Sequence, residues 1–287
     1  MRKILFLILL SVIFNADINA QESRFCVSVI PTPVLNTNDF NSVFGGYDGK
    51  SVKLDESGII REMELIALPG TVFEIDTIFN YGDHFILEVR TNDYPSENSK
   101  LYIDSRFVKF YSERPDERKQ IIPSQDEIIK TLNSLEGYPY MWGGNFADGI
   151  PQLLEFYKPN GVINDYTEDL WSLKGVDCSG LIYQASNGCI PRNTSAMVNF
   201  GTGILIESLS EVQIAELLRP LDLIVWSGHV VIVLDSTTVI ESIPESGVKK
   251  SNLVSRLSSI MVQRTPVNDW NSTHGKRFVV RRWYNGD

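Results

Sequence analysis

Histidine is scarce in this chain: only His84, His229 and His274 occur among its 287 residues. No two of them stand at metal-ligand spacing, and no Cys or His pair supplies the missing donors. No zinc site can therefore be drawn from the sequence, and no cofactor is implied. Cysteine is as sparse, with Cys26, Cys178 and Cys189 alone. An odd count of three excludes the cysteine-dense framework of small secreted domains and leaves at least one thiol free. A run of basic residues is also missing, and the net charge is −10. Such a chain repels phosphate backbones, so nucleic acid is not an expected partner. No apolar stretch reaches the roughly 20 residues of a membrane helix, so the mature chain is expected to have no integral membrane segment. Repeats and low-complexity stretches are absent too. The apolar content of 43% and charged content of 22% are those of an ordinary globular protein.

The start of the chain is different in kind. Arg2 and Lys3 precede an apolar run from Ile4 to Phe14, broken only by Ser11, and small residues follow at Ala16 and Ala20. Residues 1–20 are expected to be a cleaved secretory signal, although Asp17 and Ile18 are unusual so near the cut. The mature protein would then be exported, to the periplasm or the extracellular space. Cys26 lacks the preceding apolar and small residues of a lipid-modified cysteine. Further along, the charged segment SERPDERKQIIP at 112–123, with two prolines, reads as an exposed linker. It divides a first domain, residues 21–115, from a second, residues 116–287.

The first domain has an all-β pattern. Phe25–Ile30, Thr71–Ile75, His84–Val89 and Leu101–Tyr111 are short β-rich runs separated by Gly, Asn, Asp and Pro clusters, which predicts a small barrel or rolled sheet. His84 follows Gly82 and Asp83 and is expected to be an exposed turn residue. The second domain opens with a helix: Ser124 and Glu127 form a capping box ahead of the stripe Ile128, Ile129, Leu132 and Leu135. A second short helix follows from Cys178 towards Gly188, and Ser210 with Gln213 cap a third that runs to Leu218. After Pro220 the pattern changes to strands at Asp222–Trp226, His229–Leu234, Thr238–Ile243 and Arg277–Trp283. Helices first and antiparallel strands afterwards predict an α+β fold.

Three residues of the second domain can carry chemistry together. Cys178 starts a helix, where unpaired N–H groups and the positive end of the helix dipole favour a thiolate. A small buried structural cysteine fits the local sequence equally well. His229 follows Ser227-Gly228 and opens the strand that runs to Leu234, held by the sheet yet open at its end. It is the candidate base. A hairpin between Leu234 and Val239 would bring the next strand back beside it, and Glu241 is the strong acceptor there, able to orient the imidazole. His274 lies in the polar stretch 271–276 and reads as a loop residue. Cys189 is expected to pack just past the helix end, and a Cys26–Cys189 bridge is left open, because the sequence does not give the distance.

Five short segments then occur in order: Tyr140-Met141-Trp142-Gly143-Gly144, Asp177-Cys178-Ser179-Gly180-Leu181, Pro191-Arg192, Arg219-Pro220-Leu221-Asp222-Leu223 and Gly228-His229-Val230. Together they resemble the ordered motifs of the NlpC/P60 family, over roughly residues 124–245. The resemblance implies a papain-like α+β domain that hydrolyses bacterial cell-wall stem peptides, commonly between D-glutamate and the following diamino acid. Cys178 would be the nucleophile, His229 its base and Glu241 the orienting group. Asp177 and Tyr140 would contact the substrate, Asp177 at a free amine, and Trp142 and Ser179 are placed with them as substrate-binding residues. The partner implied is a peptidoglycan stem peptide or muropeptide. Residues 21–115 are similar, by strand pattern and position alone, to the bacterial SH3-like barrels that often precede this catalytic domain.

Three departures from the family pattern stand out. Residues 145–176 form an insert that carries Phe156, Tyr157, Tyr166 and Trp171, open to reading as a lid, a partner surface or a packed loop. Leu221 stands where the family usually has Gly. Glu241 stands where His, Asn or Gln is more frequent, and a carboxylate there is expected to hold the Cys–His pair as an ion pair. Two other readings remain: an amidase or acyltransferase of the same fold acting on another exported substrate, and a non-catalytic peptidoglycan-binding protein.

Overall fold

Two compact units make up the chain, and a computed structural model describes residues 23–96, 99–271 and 275–284. One unit holds the described residues up to Lys119 together with Pro159–Val162, the other Gln120–Lys158 and Ile163 onwards. The expected signal segment and His274 lie outside the described residues. Among those residues no helix is long and apolar enough to cross a membrane.

In the first unit, strands β1 (Phe25–Ser28) and β2 (Thr32–Leu35) lead to a single helical turn, α1 (Phe40–Val43), capped by Asp39. Strands β3 (Met63–Ala67), β4 (Val72–Asn80), β5 (Phe85–Arg90), β6 (Leu101–Asp104) and β7 (Val108–Tyr111) follow. They form one antiparallel sheet in the order β3-β2-β6-β5-β4-β1-β7. That is an open path: among the described residues no ladder joins β3 to β7, so the barrel alternative stops at a seven-stranded sheet. One face buries Cys26, Val34, Leu65, Phe73, Leu87 and Ile103, as the period-2 alternation of these strands requires. The β4–β5 hairpin turns through Gly82 (φ 94°), with the Tyr81 N–H donating to the His84 carbonyl at 3.0 Å. His84 is not exposed there. Its side chain is only 8% accessible, stacked on Tyr81 with Nδ1 2.8 Å from Asp83. The aromatic neighbour, which turn chemistry alone does not register, shelters the ring.

The second unit begins with α2 (Gln125–Ser134), whose Ser124–Glu127 capping box forms in both directions. The 145–176 insert is clasped at its base by a two-stranded ladder, β8 (Asn145–Phe146) against β9 (Gly175–Val176). Within it lie α3 (Gln152–Phe156) and α4 (Asp165–Trp171), neither anticipated from the sequence. Leu153 and Trp171 are fully buried, whereas Tyr166 is 67% exposed, so the insert is packed at its base and α4 presents Tyr166 outward. Next come α5 (Cys178–Ala185), α6 (Thr194–Met197), β10 (Thr202–Ile204) and α7 (Glu211–Leu217), the last with the expected Ser210–Gln213 box. The chain then runs through β11 (Leu223–Trp226), β12 (His229–Val233), β13 (Thr238–Ile243) and β14 (Gly247–Asn252). It closes with α8 (Leu253–Met261), β15 (Thr265–Pro266) and β16 (Arg277–Arg282).

The main sheet has the order β10-β16-β11-β12-β13-β14, with β15 added in parallel to β16. Side chains alternate between two cores. Leu223, Val225, Val230, Ile232 and Ile240 meet α2 and α5 on one face; Ile224, Val231, Val233 and Val239 meet α7 and α8 on the other. The mixed helix-and-sheet architecture agrees with the α+β expectation, with helices covering both faces of the sheet. Helix α8 was missed, although Asn252 caps it and Leu253, Leu257 and Ile260 form its buried stripe.

Two backbone positions explain motif residues. A Cβ on Gly180, in α5, would overlap the Gly144 carbonyl, so the 140–144 loop can lie against the helix start only because residue 180 is glycine. Leu221 sits at φ 70° in the turn where the Asp222 N–H donates to the Arg219 carbonyl at 3.0 Å, and its side chain is fully buried. The left-handed bend is thus made without glycine.

Candidate active site

Cys178 is the first residue of α5, and Asp177 is its N-cap. The start of this helix is held by a buried fork. Arg192, 4% exposed, donates from Nη1 to Asp177 Oδ1 (3.0 Å) and from Nη2 to Oδ2 (2.6 Å). The same guanidinium reaches Ser179 Oγ at 2.8 Å, Asn145 Oδ1 at 3.1 Å and the Gly144 carbonyl at 3.3 Å. Asp177 also accepts from the Gly143 N–H (3.1 Å), the Gly180 N–H (2.6 Å) and Ser179 Oγ (3.1 Å). Five donors on one carboxylate use the roughly four lone-pair sites it offers. Asp177 and Ser179 therefore fasten three of the sequence motifs together, and the carboxylate has no free lone pair for a substrate amine. Tyr140 is half-buried and Trp142 is 37% exposed. Both stand on the loop that this fork secures.

The Cys178 side chain is 8% exposed, and its sulfur lies 4.0 Å from the Gly228 carbonyl, the residue before His229. Burial, and then the Asp177 carboxylate, push the thiol up to about 12, against the pull of the Val230 and Ser179 N–H groups and the Arg192 charge. The group is therefore a neutral thiol at pH 7, able to donate to Gly228. Burial therefore works against the expected resting ion pair, because the desolvation of a buried sulfur opposes the donors around it.

His229 begins β12 directly across the hairpin from Trp226, and the two rings lie 5.1 Å apart. The register Ile232↔Ile240 and Val233↔Val239 brings Glu241 diagonally beside His229 on the same face of the sheet. The His229 Nε2 to Glu241 Oε2 distance is 2.7 Å. Glu241 is 1% exposed, and Arg256, from α8, donates Nε to Oε1 and Nη2 to Oε2, both at 2.7 Å. Burial raises the Glu241 pKa, but the hydrogen bonds from His229 and Arg256, together with the Arg256 charge, overcome it and bring it down to about 2. An ionised carboxylate only accepts, so Nε2 carries the proton and Nδ1 presents its lone pair.

The sequence-predicted residues thus fall in two groups. Cys178, with Asp177 and Ser179, sits at the helix start, and His229 with Glu241 at the strand end. The Gly228-His229-Val230 backbone lies between them. Arg256 and Trp226 were missed. The helical stripe after Asn252 would have placed Arg256 on a helix, but not against Glu241. Among the described residues no cluster of three or more His, Cys, Asp or Glu side chains is placed to hold a metal ion.

No family model matches the chain, and no curated protein does. The solved structures that resemble it include an NlpC/P60 family protein from Bacillus cereus, with 18% identity and a TM-score of 0.34, covering 92% of this chain and 64% of that one. The P60 domain of an antigen from Mycobacterium avium subspecies paratuberculosis shows 29% identity and a TM-score of 0.32, over 45% of this chain and 84% of that one. An NlpC/P60 endopeptidase from Photobacterium damselae subspecies piscicida shows 14% identity and a TM-score of 0.29, over 81% and 45%. The chain spans less than two thirds of the Bacillus protein.

Proposed function

We propose that the protein is an exported NlpC/P60-type cysteine endopeptidase that cleaves bacterial cell-wall stem peptides at the bond between D-glutamate and the following diamino acid. One observation carries the reading: a helix-start thiol lies against the Gly228 carbonyl, next to His229, whose Nε2 is bound to a buried, ionised Glu241 at 2.7 Å. In this reading they serve as nucleophile, base and orienting acid.

In this reading the Cys178 thiol gives its proton to His229 Nδ1 as sulfur attacks the amide carbonyl. Glu241 stabilises the imidazolium that forms. The Cys178 backbone N–H, at the first helical position and without an intrahelical acceptor, donates to the developing oxyanion. His229 then protonates the leaving amine, and water releases the acyl group from Cys178 through the reverse proton transfers. Tyr140 and Trp142 line the approach. The β unit, SH3-like in strand pattern, would hold the protein on its polymeric substrate.

The saturation of Asp177 favours a second reading. If no carboxylate grips a free amine, the same three residues serve an amidase or acyl transfer on another exported substrate equally well, because the fold does not fix the bond. Digestion of purified muropeptides by wild type and by Cys178→Ala, with products identified by mass spectrometry, separates the two. A fragment ending in D-glutamate, made only by the wild type, supports the endopeptidase. Retained turnover by Cys178→Ala removes the nucleophile assignment.

A further inference from the structure

Three guanidiniums surround the catalytic groups, and they are not equivalent. Arg192 is tied to Asp177 and Arg256 to Glu241. Arg264, just beyond α8, lies 4.6 Å over the Trp226 ring and makes no side-chain hydrogen bond or ion pair with any described residue. It is half-buried, and burial lowers its pKa with no carboxylate to offset that. The ring beneath it, itself only 8% exposed, is the one 5.1 Å from His229. A stacked guanidinium keeps its N–H edge free for a planar, bidentate acceptor. The chain carries a net charge of −10, so an anionic substrate needs a local cation to be held here.

We infer that Arg264, stacked on Trp226 beside His229, is a subsite for a carboxylate of the substrate, on the amino acid that leaves. The side follows from the chemistry: His229 protonates the departing amine, so the residue nearest His229 and its Trp226 neighbour is the leaving one. The inference rests on the endopeptidase reading and adds to it the charge that the diamino acid must carry. Trp226 acts as the platform and Arg264 as the donor, and neither touches the reacting atoms.

The test uses two synthetic stem peptides that differ only in the leaving residue, which bears a free carboxylate in one and a carboxamide in the other. The wild type should cleave the carboxylate peptide with kcat/KM at least about tenfold higher, the size of a charge-assisted contact. The ratio should collapse to within about threefold in Arg264→Gln and recover partly in Arg264→Lys, mainly through KM. Calorimetry on Cys178→Ala, with and without Arg264→Gln, measures the same preference without turnover. Equal cleavage of both peptides by the wild type overturns the subsite and leaves the endopeptidase standing. A preference that survives Arg264→Gln also overturns it. No cleavage, with a calorimetric preference lost in Arg264→Gln, overturns the endopeptidase and keeps the subsite. No cleavage and no preference removes both.

Discussion

The start of α5 and the end of β12 are each held by an Arg–carboxylate fork, and the two forks do different work. At α5 every donor on Asp177 belongs to the protein, and Arg192 is almost wholly buried, with 3% of its side chain accessible. At β12 the carboxylate of Glu241 is divided between Arg256, 24% accessible, and the His229 imidazole. The first fork fixes backbone, bringing the 140–144 loop, the helix start and residue 192 to one point. The second fixes a proton, deciding which nitrogen of His229 is bare. An ion pair between the same chemical groups becomes structural or functional according to whether one acceptor is left for a group that must change charge.

Substitutions should separate the two forks, beginning with the largest effect. Arg192→Leu leaves the buried Asp177 charge without its cation, and should cost about 3–5 kcal/mol of stability in urea unfolding. Arg256→Leu should cost only about 1–2 kcal/mol, because its fork is partly solvated and Glu241 keeps His229 as a donor. Equal losses would break the comparison. In the intact fold, Glu241→Gln should lower kcat by roughly ten- to a hundredfold, since an amide oxygen still orients His229 but no longer stabilises its cation. Unchanged kcat would show that Glu241 is a structural partner of Arg256 alone.

The pH profile sharpens the contrast further. The folded pKa of Glu241 is about 2, below its ordinary value of 4.5. Its stabilising contribution is therefore full above pH 4.5 and is lost as pH falls from there towards 2. Acid titration of the wild type against Glu241→Gln should show this loss only in the wild type. The smallest effect concerns the thiol. With its pKa raised from 9.0 to about 12, Cys178 stabilises the fold fully below pH 9 and loses that contribution as pH rises towards 12. Alkylation of Cys178 by iodoacetamide, followed by mass spectrometry, should be slow at pH 7 and climb with pH into that range. A rate already at its plateau near pH 7 would restore the thiolate–imidazolium pair.

Much of this was legible in the sequence wherever the signal is local. Both capping boxes, at Ser124 and Ser210, and the strand Thr238–Ile243 formed as their patterns predict. Placing Cys178 at a helix start and Glu241 beside His229 needed only one helix start and one hairpin register. What the sequence left unread are pairings across space. Arg256 lies 15 residues from Glu241 on a different element, and its pattern gives a helix but not what the helix covers. Asp177 looked available because three of its five donors, both from Arg192 and the one from Gly143, come from residues whose direction depends on how the loops fold back. The SH3-like expectation rested on strand spacing, which fixes neither the closure nor the openness of a sheet. His84 was read as exposed because a turn sequence does not reveal the Tyr81 ring lying over it.

Leu221 bears on how this protein could be engineered. Its left-handed bend costs on the order of 1 kcal/mol relative to glycine, whereas complete burial of a leucine contributes roughly 1.5–3 kcal/mol. The family that the sequence resembles usually carries Gly there, so a design that follows the majority residue would relax the backbone and empty the core in a single step. Averaging over relatives would choose the less stable residue at this turn.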